Sequence, residues 1–170
     1  MPKLHPWATL LLISTSIAAC DTRPTIVINE FMADNEATLA DGATGEYWDW
    51  IELYNTSEEL VVLDGLFLTD DLDWPTQQAL SPQLSIAGGG YLVLWASQEA
   101  ANDPTHLNFA LAGDGEELGL FWADTDTGNI TMLDGLAYNA QEPDISMARD
   151  EDGTGGWALT QQSTPGASNQ

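Results

Sequence analysis

The chain has 170 residues, enough for one domain with a hydrophobic core and too few for two domains of ordinary size. It carries 27 acidic residues against 3 basic ones, and this charge argues against direct binding to the phosphate backbone of a nucleic acid. Its seven tryptophans exclude a disordered acidic tail, because such tails are poor in aromatic residues.

The first twenty residues have the pattern of an export signal. Lys3 precedes an uninterrupted run of apolar and small residues from 7 to 19, which ends at Cys20. A membrane-spanning helix is not favoured, because it needs roughly 20 apolar residues and the run from 7 to 19 is shorter than that. The ending Ile-Ala-Ala-Cys resembles a bacterial lipobox. The resemblance implies a lipoprotein signal peptide at 1–19 and a lipidated tether at 20–24, with the lipid on Cys20.

The predicted location is therefore the cell envelope, either periplasmic or surface-exposed, with the lipid on Cys20 holding the chain to a bacterial membrane. Because Cys20 is the only cysteine, no intrachain disulfide can form. Removal of the signal would leave Arg23 and Arg149 against the 27 acidic residues, a formal charge of −25. One interpretation is that this charge keeps the protein soluble and tolerant of salt. The alternative interpretation is specific binding of divalent cations.

Short strands dominate the remainder of the chain. Segment 49–55 places Ile51 and Leu53 on one face, and Trp50 and Glu52 on the other. An Asp64-Gly65 pair between two apolar runs predicts a hairpin. No segment has a helical apolar period, so the pattern indicates an all-β sandwich or barrel of about nine to ten strands. The predicted strands lie near 25–32, 49–55, 60–63, 66–69, 84–86, 91–96, 117–122, 130–138, 145–149 and 157–159.

An ordered set of motifs resembles the bacterial lamin-tail domain. The motifs are Ile28-Asn29-Glu30-Phe31-Met32-Ala33, Asp49-Trp50-Ile51-Glu52-Leu53-Tyr54-Asn55, Leu63-Asp64-Gly65-Leu66, Ile86-Ala87-Gly88-Gly89-Gly90-Tyr91-Leu92-Val93, Gly113-Asp114-Gly115-Glu116 and the ending with Gly156-Trp157 and Thr164-Pro165-Gly166. The resemblance implies an immunoglobulin-like β-sandwich, placed at 25–160, without enzymatic activity of its own. Such domains resemble accessory or targeting modules. The residues from 161 to 170 are rich in Ser, Thr, Pro and Gly, and we expect them to be a flexible tail.

Catalytic and metal-binding patterns are scarce. His106 is the only histidine after the signal, and without a Gly-x-Ser-x-Gly motif it is interpreted as a packed or solvated loop residue. The acidic loop at 34–47 and the residue that opens the next strand offer a candidate calcium site, since calcium prefers six to eight oxygen ligands from flexible loops. The alternative is a solvated acidic loop. The candidate ligands are Asp34, Glu36, Asp41, Glu46 and Asp49.

Two glutamates lie within predicted strands, where a buried charge needs a partner. Since few cations are present, we expect Arg149 to form a structural ion pair with Glu30 or Glu52. Trp74 lies in an acidic loop and could contact a ligand, or it could cap an open sheet edge.

The sequence therefore predicts a non-catalytic, envelope-anchored binding or adhesion module. We expect a monomer that contacts the membrane through its lipid and binds a protein or carbohydrate, without nucleic acid and without a required cofactor, although Ca²⁺ could assist. The alternative is an accessory or targeting subunit for a separately encoded secreted hydrolase or nuclease.

Overall fold

The computed structural model describes residues 23–99 and 103–169, and these residues form eleven β-strands and no helix. The strands are β1 Ile26–Met32, β2 Asp49–Asn55, β3 Val61–Val62, β4 Leu66–Thr69, β5 Gln78–Ala79, β6 Ser85–Ile86, β7 Tyr91–Ala96, β8 Glu117–Ala123, β9 Ile130–Ala137, β10 Ser146–Glu151 and β11 Thr154–Thr160. The expected all-β class is confirmed. The count exceeds the expectation because the two-residue strand β5 was not predicted.

The strands form three antiparallel sheets. A five-stranded sheet has the order β11-β10-β1-β2-β7, and a four-stranded sheet has the order β5-β4-β8-β9. The strands β3 and β6 make a small third sheet. The outer edge of β7 is covered, because Trp95 donates its backbone N–H to the Thr105 carbonyl and Leu107 donates its own to the Trp95 carbonyl, both at 2.8 Å. The architecture is that of an immunoglobulin-like β-sandwich.

The hydrophobic core lies between the two large sheets. The five-stranded sheet contributes Ile28, Phe31, Ile51, Leu53 and Leu94, and the four-stranded sheet contributes Leu66, Leu68, Leu118 and Leu120, all of them inaccessible to solvent. The ring centroids of Phe31 and Tyr138 are 4.8 Å apart, and those of Phe31 and Trp157 are 5.9 Å apart. Burial of this apolar surface is the main force that holds the sheets together.

A bulge in β1 decides which of its side chains enter the core. The pairing of β1 with β2 shifts between Ile28 and Glu30, so that Asn29 is the extra residue. With the bulge, Ile28 and Phe31 both face the core although they are three positions apart. Glu30 is thereby turned to the outer face of the sheet, directly opposite Glu52 of β2.

The Asp64-Gly65 pair makes a turn but not the predicted hairpin. The turn has its expected backbone, since Gly65 has a φ of 74° and Leu66 donates its N–H to the Leu63 carbonyl at 3.2 Å. However, β3 pairs with β6, whereas β4 pairs with β5 and β8. Because Leu63 and Leu66 are both fully buried, the chain turns a corner between sheets at this point instead of folding back on itself.

The outer face of the five-stranded sheet is covered, although the alternation in β2 suggested an amphipathic surface. Trp50 and Glu52 have no solvent exposure. The C-terminal segment 161–169, which was expected to fray, is hydrogen-bonded to this face. Thr164 donates to Glu30, and Gly166 donates to Glu52.

No helix among the described residues is long and apolar enough to cross a membrane. The predicted signal peptide at 1–19, the lipid site Cys20 and the first part of the 20–24 tether lie outside the described residues.

Candidate functional site

Arg149 forms its ion pair with Asp134, so the predicted pairing with Glu30 or Glu52 is wrong. Its Nη2 lies 2.8 Å from Oδ1 and 2.7 Å from Oδ2 of Asp134, and both side chains are nearly buried. The guanidinium also lies over the ring of Trp157, with 4.5 Å from Cζ to the ring centroid.

The Arg149–Asp134 pair takes the place of missing ladder bonds beside β1. The strand β10 pairs with β1 only at Glu30 and Phe31. Next to the bulge, the Ile28 N–H therefore donates a hydrogen bond to Asp134 Oδ2 at 2.9 Å. The Ile28 carbonyl accepts a hydrogen bond from Arg149 Nε at 2.8 Å. Since Asp134 lies on β9 of the opposite sheet, this pair clasps the two sheets together at the bulge.

Glu30 is held by neutral donors and not by a cation. Ser146 Oγ donates to its Oε1 at 2.5 Å, while the backbone N–H and the hydroxyl of Thr164 donate to Oε2 at 3.0 Å each. Hydrogen bonds of this kind satisfy a buried carboxylate without any ion pair.

Glu52 has two donors of the same neutral kind. Asn29 Nδ2 lies 3.0 Å from Oε1, and the backbone nitrogen of Gly166 lies 2.5 Å from Oε2. Burial, together with the nearby charges of Glu30 and Asp152, raises the pKa of Glu52 to about 7 against the opposing effect of these hydrogen bonds. Near neutral pH this carboxyl is therefore divided between its protonated and ionised forms.

The start of the acidic loop binds a carboxylate of its own chain at the protein surface. Asp144 Oδ1 accepts bonds from the N–H groups of Glu36, Ala37 and Thr38 at 2.8–3.1 Å and from the Thr38 hydroxyl at 2.8 Å. The bond from Ala37, followed by that from Thr38, holds the pKa of Asp144 below its usual range. This loop end therefore binds an anionic side chain of the same chain.

The five carboxylates predicted to hold calcium are not brought together. Glu36 and Glu46 are exposed, whereas Asp41 is buried. Asp41 accepts bonds from Ala43 N and from the Thr44 hydroxyl, which close its own turn. Within the described ranges, no group of three or more His, Cys, Asp or Glu side chains could hold a metal ion. The loop therefore gives no support to the calcium hypothesis.

Asp49, the fifth of these carboxylates, braces the start of the loop. It accepts the Asn35 N–H at 3.0 Å. Burial, together with the neighbouring charge of Asp34, raises the pKa of Asp49 to about 6 against the opposing effect of that hydrogen bond. Asn35 in turn donates to the carbonyls of Leu39 and Trp48, so its side chain fixes the path of the loop.

His106 is buried between two polar side chains. Its Nδ1 lies 2.8 Å from Ser97 Oγ, and its Nε2 lies 3.5 Å from Asp41 Oδ2. These distances resemble a hydrolase triad, but the surroundings differ from one. Ser97 is only 6% exposed and also accepts the Glu99 N–H, and no described cavity is lined by Ser97 or His106. The arrangement supports the interpretation of a packed histidine that joins two loops.

Trp74 is the predicted contact residue that remains exposed. Its side chain is 56% exposed, at the tip of a loop between β4 and β5. Its N–H donates to the Asp71 carbonyl at 2.9 Å, and its carbonyl accepts the Gln77 N–H at 3.2 Å. The loop therefore presents the indole ring on a braced backbone.

Sequence reasoning missed four side chains that organise these sites: Asn29, Ser97, Asp134 and Asp144. Each is polar, and each makes its key contact with a residue distant in sequence or across a loop, so no local pattern indicated these contacts, although Asn29 stood among the lamin-tail motifs. The tail contacts had a signal, because Thr164-Pro165-Gly166 already stood among the lamin-tail motifs.

Comparison with known proteins agrees with the fold. The family model of the Lamin Tail Domain matches residues 21–142, well over half of the chain. No curated protein matches the chain. Domains of this immunoglobulin-like kind are generally non-enzymatic, which agrees with the internal use of the buried polar groups. The chain belongs to the lamin tail domain family.

Proposed function

We propose that this protein is a non-catalytic binding module, anchored to a bacterial envelope membrane through Cys20, that contacts a protein or carbohydrate ligand with the loop carrying Trp74. The observation that carries the proposal is the exposed indole of Trp74 on a braced loop. Tryptophan is enriched at binding hot spots because it buries a large surface with little loss of conformational entropy.

The loop around Trp74 is organised before any ligand arrives. The Thr69 hydroxyl lies 2.7 Å from both the Asp71 carbonyl and Gln77 Oε1. Asp73 donates its N–H to Asp71 Oδ1 at 2.9 Å. A preorganised loop binds more tightly than a mobile one, because less freedom is lost on association.

The charge around Trp74 favours particular ligands. Asp70, Asp71 and Asp73 precede Trp74 in the same loop. A cationic protein segment is favoured by these carboxylates, and a neutral sugar could stack on the ring. The negative field disfavours phosphate-rich ligands such as nucleic acids.

The absence of catalysis is supported by how the buried polar residues are used. Arg149 is committed to Asp134 and to the backbone of Ile28. The carboxyls of Glu30 and Glu52 are occupied by the C-terminal segment. Each of these groups stabilises the fold.

A binding comparison tests the proposal. The domain beginning at Asp21 is immobilised and exposed to a glycan array and to envelope extract, in parallel with Trp74→Ala and with Leu159→Ala. Leu159 is an appropriate control because it is also 56% exposed. We expect a ligand retained by the wild-type domain and by Leu159→Ala and lost with Trp74→Ala. Equal retention by all three would contradict the role of Trp74. Capture of a secreted hydrolase or nuclease through Trp74 would identify the ligand as the partner of an accessory subunit.

A further inference from the structure

One groove on this acidic protein is free of acidic side chains. It has a volume of about 330 Å³ and is lined by Arg23, Pro24, Thr25, Ile26, Val27, Thr56, Met132 and Leu133. The other two described cavities include Asp150 and Glu142 in their linings. Because the chain carries 27 acidic residues, a lining without any carboxylate departs from the composition of the chain as a whole.

The groove continues into an exposed apolar strip on β9. Met132 is 52% exposed, and Ile130 is 47% exposed. The two residues are separated by one position in the strand, so their side chains leave the same face. Since β9 is the edge strand of its sheet, this strip meets no further strand among the described residues. Exposed apolar side chains beside a groove are typical of a surface that contacts a partner or a membrane.

The position of this surface along the chain points to its occupant. Arg23, the first described residue, lines the groove. Cys20 precedes Arg23 by three residues, and an extended chain spans about 3.5 Å per residue. Acyl chains on Cys20 would therefore hold the groove within roughly 10 Å of the bilayer surface.

Electrostatic repulsion also favours an orientation in which the groove faces the bilayer. Bacterial membranes that contain anionic lipids repel carboxylates within about one Debye length of the surface, roughly 8–10 Å in physiological salt. For a domain with a formal charge of −25 and so short a tether, this repulsion favours an orientation in which a surface without carboxylates faces the headgroups. The acid-free groove is such a surface, and Ile130 and Met132 can enter the apolar edge of the interface.

We propose that the groove at Arg23–Val27, together with Ile130 and Met132 of β9, is the surface that lies against the lipid bilayer. This inference rests on the proposed lipid anchor at Cys20. It assigns the orientation of the bound domain: the β9 edge faces the headgroups, and the remaining acidic surface faces the aqueous phase.

The test uses the full lipidated protein in vesicles of phosphatidylethanolamine and phosphatidylglycerol. Since acylation consumes the thiol of Cys20, the chain's only cysteine, Met132→Cys provides a single reactive thiol for an environment-sensitive fluorophore. Leu159→Cys is the matched control, because Leu159 has similar exposure and lies on β11, beside the groove that contains Glu142.

On vesicles we expect a blue-shifted emission and several-fold weaker acrylamide quenching for the label at position 132, but no such change at position 159. Adding Ile130→Asp to the labelled Met132→Cys protein should weaken the protection, with an unchanged melting temperature as evidence of folding. Equal quenching at positions 132 and 159, in protein that floats with the vesicles, would overturn the orientation and leave the anchor intact. Protein that carries no acyl chain by mass spectrometry and does not float would overturn the anchor, and the orientation with it.

Discussion

The two sides of β1 solve the same problem in different ways. Toward the four-stranded sheet, a nearly buried carboxylate at Asp134 is neutralised by the cation of Arg149. On the outer face, the fully buried carboxyls of Glu30 and Glu52 are held by N–H and O–H donors alone. The comparison shows that this acidic chain places its scarce arginine where two sheets must be joined, and uses its own C-terminus where one sheet must be covered.

The difference has an energetic consequence. An ion pair keeps a carboxylate charged, whereas neutral donors compete with desolvation. The outer face is therefore sensitive to pH through Glu52, whose pKa is raised to about 7. The clasp should be sensitive mainly to the removal of either partner.

The largest effect is expected from breaking the clasp. Arg149→Met would leave Asp134 nearly buried without a cation, which costs about 3 kcal/mol. For a domain of this size we expect the melting temperature to fall by roughly 6–12 °C. In the Arg149→Met background, Asp134→Asn should recover part of the loss, because a neutral amide oxygen can still accept the Ile28 N–H. An unchanged melting temperature for Arg149→Met would show that the clasp does not stabilise the fold.

The next effect is expected from removing the cover of the outer face. A chain ending at Gln162 lacks the Thr164 and Gly166 donors and leaves only Ser146 on Glu30 and Asn29 on Glu52. The loss of these donors from two buried carboxyls costs about 2–3 kcal/mol. Urea unfolding followed by tryptophan fluorescence would measure this loss. The control is a chain ending at Gly166, which keeps both donors and should lose distinctly less. Equal stability of the two shortened chains would contradict the role of these donors.

The smallest expected effect concerns pH. The pKa of Glu52 is higher in the folded protein than its ordinary value of 4.5, so the folded state binds its proton more tightly than the unfolded state. Stability is therefore greatest below about 4.5 for this group and falls as the pH rises through about 7. Asp49, with its pKa raised to about 6, adds a change of the same sign.

Thermal unfolding of Glu52→Gln between pH 5 and pH 8 tests this assignment. The glutamine side chain does not titrate, so the decline in stability with rising pH should be reduced by about 2 kcal/mol. The residual slope should include Asp49 and also Glu116, whose pKa is raised by burial. Asp49→Asn serves as the matched comparison. If the stability of Glu52→Gln fell with pH as steeply as that of the wild type, Glu52 would not titrate in this range.

Much of the fold could be predicted because the signals are local. The alternation around Ile51 and Leu53 predicted the core face of β2, and the ordered motifs predicted the family. The Asp64-Gly65 pair correctly predicted a turn. It did not predict the strand partners, because β3 and β4 pair with strands that lie elsewhere in the sequence.

The sites were predicted less well because their contacts are distant in sequence. The expectation that a buried Glu30 or Glu52 needs a cation was wrong, because neutral N–H and O–H donors satisfy both carboxyls. Arg149 pairs instead with Asp134, one of 27 acidic residues in the chain. The bulge at Asn29 turned Glu30 away from the arginine and brought Ile28 beside it. Counting carboxylates in the loop suggested calcium, whereas the loop backbone bonds Asp144.

The sequence by itself determined the β class, the family and the need to satisfy buried charges, since hydrophobic alternation, turn residues and composition are readable from local order. Only the tertiary structure decided that Asp134 receives the arginine and that the C-terminal segment covers Glu30 and Glu52. The physical reason is that a partner for a buried charge is chosen by proximity in the folded state. In this chain, one bulge and the pairing of strands distant in sequence set that proximity.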